Sequence, residues 1–247
     1  KALGTELLIG RVSYTLESAQ LRLSDATNIP PEIRVEEGTR LISKVGTSIA
    51  YDTRNSGLLP SHGQRSEFLT ELAGLGGDVQ FYKLEARTAW YFPGFWEGHI
   101  FEAVGRAGSV ASYGDGDRGL DRVPMFDRWF LGGLYSLRGY RYRDIGPKAG
   151  GEALGGESYW FGSAEYSIPI IERLRFAMFY DVGNVYSQSF SLNAAGRQNY
   201  IDNWGFGVRL NLPIGPLRLD YGIPINHDPG TGGSGRFQFG VGYTREF

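Results

Sequence analysis

The strongest constraint on this chain is a two-residue rhythm in which one face is bulky and apolar and the other is glycine and charge. In 204–212, Trp204, Phe206, Val208, Leu210 and Leu212 alternate with Gly205, Gly207, Arg209 and Asn211. In 216–224, Leu217, Leu219, Tyr221 and Ile223 oppose Arg218, Asp220 and Gly222. In 236–247, Phe237, Phe239, Val241, Tyr243, Arg245 and Phe247 oppose Gln238, Gly240, Gly242, Thr244 and Glu246. Segments 44–52 and 82–90 repeat the pattern. Strict alternation marks strands, because successive side chains point to opposite faces. Ten segments follow it: 6–22, 42–53, 66–74, 79–92, 98–111, 157–168, 174–187, 203–212, 215–224 and 236–247. The pattern is least clean in 98–111 and 157–168, and helix-period segments are missing.

The content of the two faces settles which one meets which solvent. Glycine with charges of both signs, such as Arg175 with Asp181 or Arg218 with Asp220, makes a poor dry core. Unpaired buried charges cost several kcal/mol each. The same face suits a hydrated lumen, and the bulky face then suits lipid, with Trp and Tyr for the interfacial belts. The composition agrees, with 37 Gly, 15 Tyr and 15 Phe among 247 residues. No apolar run is long enough for a membrane-crossing helix, but crossing strands need only about 9–11 residues. The reading is therefore all-β: an antiparallel transmembrane β-barrel, with a β-sandwich bearing a glycine-rich solvent face as the competing fold. No linker divides residues 1–247. The chain starts at Lys1 without a signal-peptide pattern and reads as a mature protein or a fragment.

Connection lengths also alternate. Short ones fall at 213–214, 169–173, 93–97 and 54–65; long ones fall at 225–235, 188–202, 112–156 and 23–41, with 75–78 the exception. Outer-membrane barrels have this asymmetry. Several function classes drop out. A formal charge of −2 excludes a broadly basic nucleic-acid binder. The absence of Cys removes thiolate chemistry, and three scattered His offer no metal-ligand spacing. Neither a phosphate-cradling GxxxxGK[ST] loop nor a GxSxG elbow is present. Glu165 and Asp181 invite a glycosidase reading. Their place on the glycine-rich, charged face argues against it, so no enzyme and no cofactor are expected.

The long segment 112–156 contains Phe130-Leu131-Gly132-Gly133-Leu134-Tyr135-Ser136-Leu137-Arg138-Gly139-Tyr140. This resembles the Gly-Gly…Val-Arg-Gly-Phe/Tyr signature of the BamA-like outer-membrane assembly and translocation barrels. Ile145-Gly146-Pro147-Lys148, Gly155-Gly156, Glu165-Tyr166, the stretch from Asp181 to Tyr186 and the stretch from Pro213 to Tyr221 continue the resemblance. Tyr51-Asp52-Thr53-Arg54-Asn55 with Leu59-Pro60 and Gly63 is similar to the family's periplasmic turn. The resemblance implies that the loop folds into the lumen, where Arg138 docks on the wall acids Glu165 and Asp181, beside Gly139 and Tyr140. Gly139 would let the backbone turn there. It also implies a sixteen-stranded barrel preceded by POTRA domains, of which this chain is the C-terminal part. Phe237, Phe239, Tyr243 and Phe247 match the aromatic C-terminal strand signal, interrupted by Arg245. The implied function is an insertase of β-barrel proteins in the outer membrane of a Gram-negative bacterium. Its partners would be membrane lipid, unfolded outer-membrane proteins and accessory lipoproteins. A two-partner-secretion transporter and a passive channel are the alternatives.

Overall fold

In a computed structural model, the structure describes residues 6–23, 29–57, 59–113, 123–212 and 215–241. Ten strands form one antiparallel sheet: β1 Leu8–Leu21, β2 Gly38–Asp52, β3 Gly63–Gly77, β4 Phe81–Pro93, β5 Ile100–Ser112, β6 Ser158–Ile171, β7 Leu174–Tyr186, β8 Ile201–Leu212, β9 Gly215–Pro224 and β10 Arg236–Val241. Each strand pairs with its neighbours in sequence, so the sheet is a simple meander. Among the described residues, no pairing joins β1 to β10. No helix of the described residues is long and apolar enough to cross a membrane, which says nothing of crossing by strands.

The expected segments and the observed strands differ mainly at their ends. β3 runs on to Gly77 although Gly76 and Gly77 fall in the expected 75–78 connection, and Gly74 is the expected strand end. All three have positive φ, and Gly77 still sits opposite Ile42, so glycine here bends the strand without ending it. The connection after β1 holds a four-residue helix, Pro31–Arg34, started by a proline at its first position. The long loop holds a 3₁₀ turn at Met125–Asp127 and a small hairpin pairing Lys148–Ala149 with Glu152–Ala153. None of these three follows from alternation. β10 is described only to Val241, so Tyr243, Arg245 and Phe247 lie outside the described residues.

The outward face carries a broad apolar surface: Val12, Tyr14, Ile49, Phe68, Trp90, Trp204, Phe206, Leu219, Phe237 and Phe239 are all exposed. Their neighbours in sequence point the other way. Asp220 is fully buried, and Arg209 and Arg218 are nearly so. The inner face is not simply a hydrated surface. Ala89, Tyr91, Val104, Tyr159 and Phe161 of the wall pack with Leu131, Leu137, Tyr140 and Ile145 of the long loop. A second cluster joins Ile42, Ala73, Val79, Phe81 and Val110 to the loop's Val123. The loop thus supplies four of the eleven buried residues of the first cluster and one of the six of the second. Inward aromatics at Tyr159 and Phe161 are also why the alternation weakens in β6.

Candidate functional site

The loop turns sharply before it reaches the wall. Gly132 and Gly133 take φ of 107° and 97°, which side chains rarely tolerate. Ser136 Oγ accepts from the Gly132 N–H at 2.8 Å, and the Gly133 N–H donates to the Leu137 carbonyl at 3.2 Å. Leu131 and Ile145 bridge the two legs of this turn. Arg138 then projects into the sheet with no exposed surface.

The acceptors for Arg138 come from adjacent inner-face positions. Its Nε and Nη2 donate to the two oxygens of Asp181 on β7, at 2.7 and 2.6 Å. Its Nη1 donates to Glu165 Oε2 on β6 at 2.5 Å, and Nη2 also reaches Ser163 Oγ at 3.1 Å. Such forked, charge-assisted bonds are directional and strong. The guanidinium lies 3.4 Å from the centroid of the Phe179 ring. That ring has room because Gly205, directly opposite on β8, has no side chain; a Cβ there would fall 2.4 Å from the ring.

The cluster extends beyond one ion pair. Asp220 on β9 lies 3.7 Å from Arg138, and Arg209 and Arg218 each contact both Asp220 and Glu165. Three guanidinium groups thus meet three carboxylates, and the site is neutral overall. Neutrality allows it to be buried without an unpaired charge. Burial alone would depress the Arg138 pKa, but Asp181, Glu165 and Asp220 outweigh it and hold the group above its ordinary value. Ser163 and Asn203 each donate to Asp181, at 2.7 and 3.1 Å.

Backbone contacts complete the seat. Gln238 of β10 donates to the carbonyls of Arg138 and Tyr140 at 3.2 and 2.8 Å. The single O–H of Tyr140 is shared between the carbonyls of Asp202 and Asn226, at 2.9 and 3.0 Å. Burial first, then the nearby Asp202 and Asp228, raise its pKa above the usual phenol value. Gly139 lies in a turn beside the wall, where the Tyr140 N–H donates to the Leu137 carbonyl at 3.1 Å, and it makes that turn without a left-handed φ. It is needed for close approach: a Cβ there would lie 2.8 Å from that of Asn203. Gly222 on β9 faces it, and a Cβ at Gly222 would lie 2.5 Å from the Gly139 nitrogen.

The structure therefore brings Arg138, Gly139, Tyr140, Glu165 and Asp181 together, while Phe237 and Phe239 lie apart on the outward face. Asp220, Arg209, Ser163, Asn203, Phe179 and Gln238 were not singled out for the site from sequence. A signal existed for two of them, since Ser163 and Asn203 sit directly opposite Asp181 on its two neighbouring strands. Chemically, the arrangement holds a loop; Glu165 and Asp181 are occupied by guanidinium bonds. No group of three or more potential ligands that could hold a metal occurs among the described residues.

An antiparallel meander with an apolar outward face and a loop ion-paired to its inner wall defines the wall of an outer-membrane-type barrel. Residues 2–244 match the Omp85 superfamily domain, and the chain belongs to that family. It is 32% identical over 219 residues to the outer membrane protein assembly factor BamA of Nitratidesulfovibrio vulgaris, covering 85% of this chain and 26% of that protein. It is 30% identical over 233 residues to the human sorting and assembly machinery component 50 homolog, covering 85% of this chain and 47% of that protein. The chain thus spans less than half the length of these curated relatives. Its fold is like that of Haemophilus ducreyi BamA lacking POTRA domains 1–3, with a TM-score of 0.75 and 20% identity over 94% of this chain and 50% of that one. CdiB from Acinetobacter baumannii is more distant, with a TM-score of 0.60 and 15% identity over 94% of this chain and 37% of that one. Membership places the chain among outer-membrane barrel proteins.

Proposed function

We propose that this chain is the C-terminal barrel portion of a bacterial outer-membrane protein insertase, which assists the folding and insertion of other β-barrel proteins. The observation that carries the reading is the fully buried, charge-neutral seat of Arg138. It acts as a loop-to-wall tether and keeps the long loop across the inner face. A loop fixed there obstructs free diffusion, which disfavours a passive channel. It also obstructs passage of a polypeptide through the lumen. It leaves strand pairing at the sheet edge unaffected, and an incoming client strand can use that route by β-augmentation. Locally thinned bilayer at the seam would lower the barrier to insertion, and no nucleotide is used.

Similarity to bacterial and animal assembly factors over the same share of the chain supports the reading. The complete protein would be a sixteen-stranded barrel carrying POTRA domains and working with accessory lipoproteins, and this chain would supply its last ten strands and the long extracellular or lumenal loop. A two-partner-secretion transporter is the second reading, favoured by the fold likeness to CdiB. The test is reconstitution of the full-length protein in lipid vesicles with an unfolded barrel client or a soluble secretory client. Faster acquisition of the folded, protease-resistant barrel than in empty vesicles is expected. Transport of the soluble client across the vesicle wall without such an effect would favour secretion instead.

A further inference from the structure

The first leg of the long loop is fastened to the other flank of the sheet by a separate set of charges. Lys44 of β2 contacts Asp127 Oδ1 at 2.9 Å, and its ammonium also lies 2.9 Å from Glu17 of β1. Lys83 of β4 donates to the Asp127 carbonyl at 3.2 Å and lies 3.9 Å from the centroid of the Trp129 ring. Arg128 reaches Glu36, in the connection before β2, at 2.6 Å. The other Glu36 oxygen takes Arg40 of β2, also at 2.6 Å. Glu36 therefore joins one arginine of the wall to one of the loop.

Packing reinforces these contacts. Val123 is buried in the apolar cluster of β2 to β5, and Trp129 packs against both apolar clusters. Gly108 makes space for it, since a Cβ there would lie 2.9 Å from the indole ring. The Trp129 backbone also exchanges hydrogen bonds with Gly156, closing the two legs of the loop at 2.8 and 2.9 Å.

We infer that Lys44, Lys83 and Glu36 form a second seat for the loop, on Asp127 and Arg128, independent of the Arg138 cluster. The loop is a strut with two feet, one on β2 and β4 and the other on β6 to β10, and Trp129 lies between them. The residues of the first foot fix the first leg of the loop alone, and the tip is held by the Arg138 seat. Release of Arg138 alone lets the tip swing about Trp129 while the first leg stays in place. This rests on loop geometry and not on the insertase reading, so the distances below test it whatever the client assay gives.

The test uses the full-length protein in lipid nanodiscs, with any cysteine outside this chain replaced. Spin-label pairs at the exposed positions 126 and 35 report the first foot, and pairs at 142 and 225 report the tip. In the double variant Lys44→Met with Arg128→Met, the 126–35 distance distribution should broaden and the 142–225 distribution should keep its width. Arg138→Ala should give the reverse. Lys44→Arg with Arg128→Lys should retain the native 126–35 width, which guards against a general folding defect in the methionine variant. Two results overturn the inference: an unchanged 126–35 width in the methionine variant, or equal broadening of both pairs by either set of substitutions.

Discussion

Arg138 brings four bonds from the loop to the wall residues Asp181, Glu165 and Ser163 into one side chain. Replacing it with Ala leaves Asp181 buried without its cation, while Glu165 keeps Arg209 and Arg218, and breaking a buried pair in this way costs about 3–5 kcal/mol. Chemical unfolding of the full-length protein should show this loss, with the loop newly open to protease. Lys keeps the charge but cannot bond both Asp181 oxygens and Glu165 in one plane, so Arg138→Lys should recover only part of it. The raised Arg138 pKa fixes the sign of the pH dependence. A cation stabilised by folding contributes fully below its unfolded pKa and loses that contribution only above it. For arginine that lies above about 12, so its own titration should leave stability flat between roughly pH 6 and 9. A stability difference between wild type and Arg138→Lys, which keeps a cation against the buried carboxylates, that changes over that range would contradict this. Gly222→Ala tests the same seat without touching charge. Its methyl group meets the Gly139 backbone, so the loop should loosen much as in Arg138→Ala while the carboxylates keep their sequence.

At the scale of elements, β9 shows what alternation specifies. Leu219 faces outward and Asp220 inward, and a one-residue slip would exchange them. Leu219→Arg should destabilise the folded protein by about 2–4 kcal/mol if the site lies near the bilayer midplane. Denaturant unfolding in bilayers checks this, and a cost near zero would place Leu219 out of lipid. The strands were legible because glycine and charge on one face against rings on the other is a pattern with one period and few rivals. The Arg138–Glu165–Asp181 association was legible only through family resemblance, since the three residues lie in three different elements. Asp220 and Arg209 were visible as inward residues, but their meeting with Arg138 depends on where the loop crosses the wall. The apolar inner packing was the least legible. Leu137, Ile145 and Val123 sit in an irregular segment where no periodicity reports a buried face. The turn at Gly139 was legible, but its close approach to Asn203 was not, because it depends on where the loop meets the wall.

At the scale of the molecule, an apolar outward face, a loop across the inner face and one orientation in the membrane belong together. Orientation can be read by cysteine labelling, because this chain holds no native Cys. In intact cells a membrane-impermeant thiol reagent should reach residue 142 of the long loop and miss residue 95 in the short β4–β5 turn. The reverse pattern would invert the topology. The most direct test of the two-faced sheet is a nitroxide scan through residues 217–223 of β9, in the full-length protein in lipid bilayers, comparing collisions with oxygen and with a water-soluble nickel complex. Residues 217, 219, 221 and 223 should show high oxygen and low nickel accessibility, alternating with low oxygen accessibility at 218, 220 and 222. Low oxygen accessibility at 219 and 221 with high nickel accessibility at 218 and 220 would mean a dry apolar interior and a soluble β-protein, and the membrane account would be wrong.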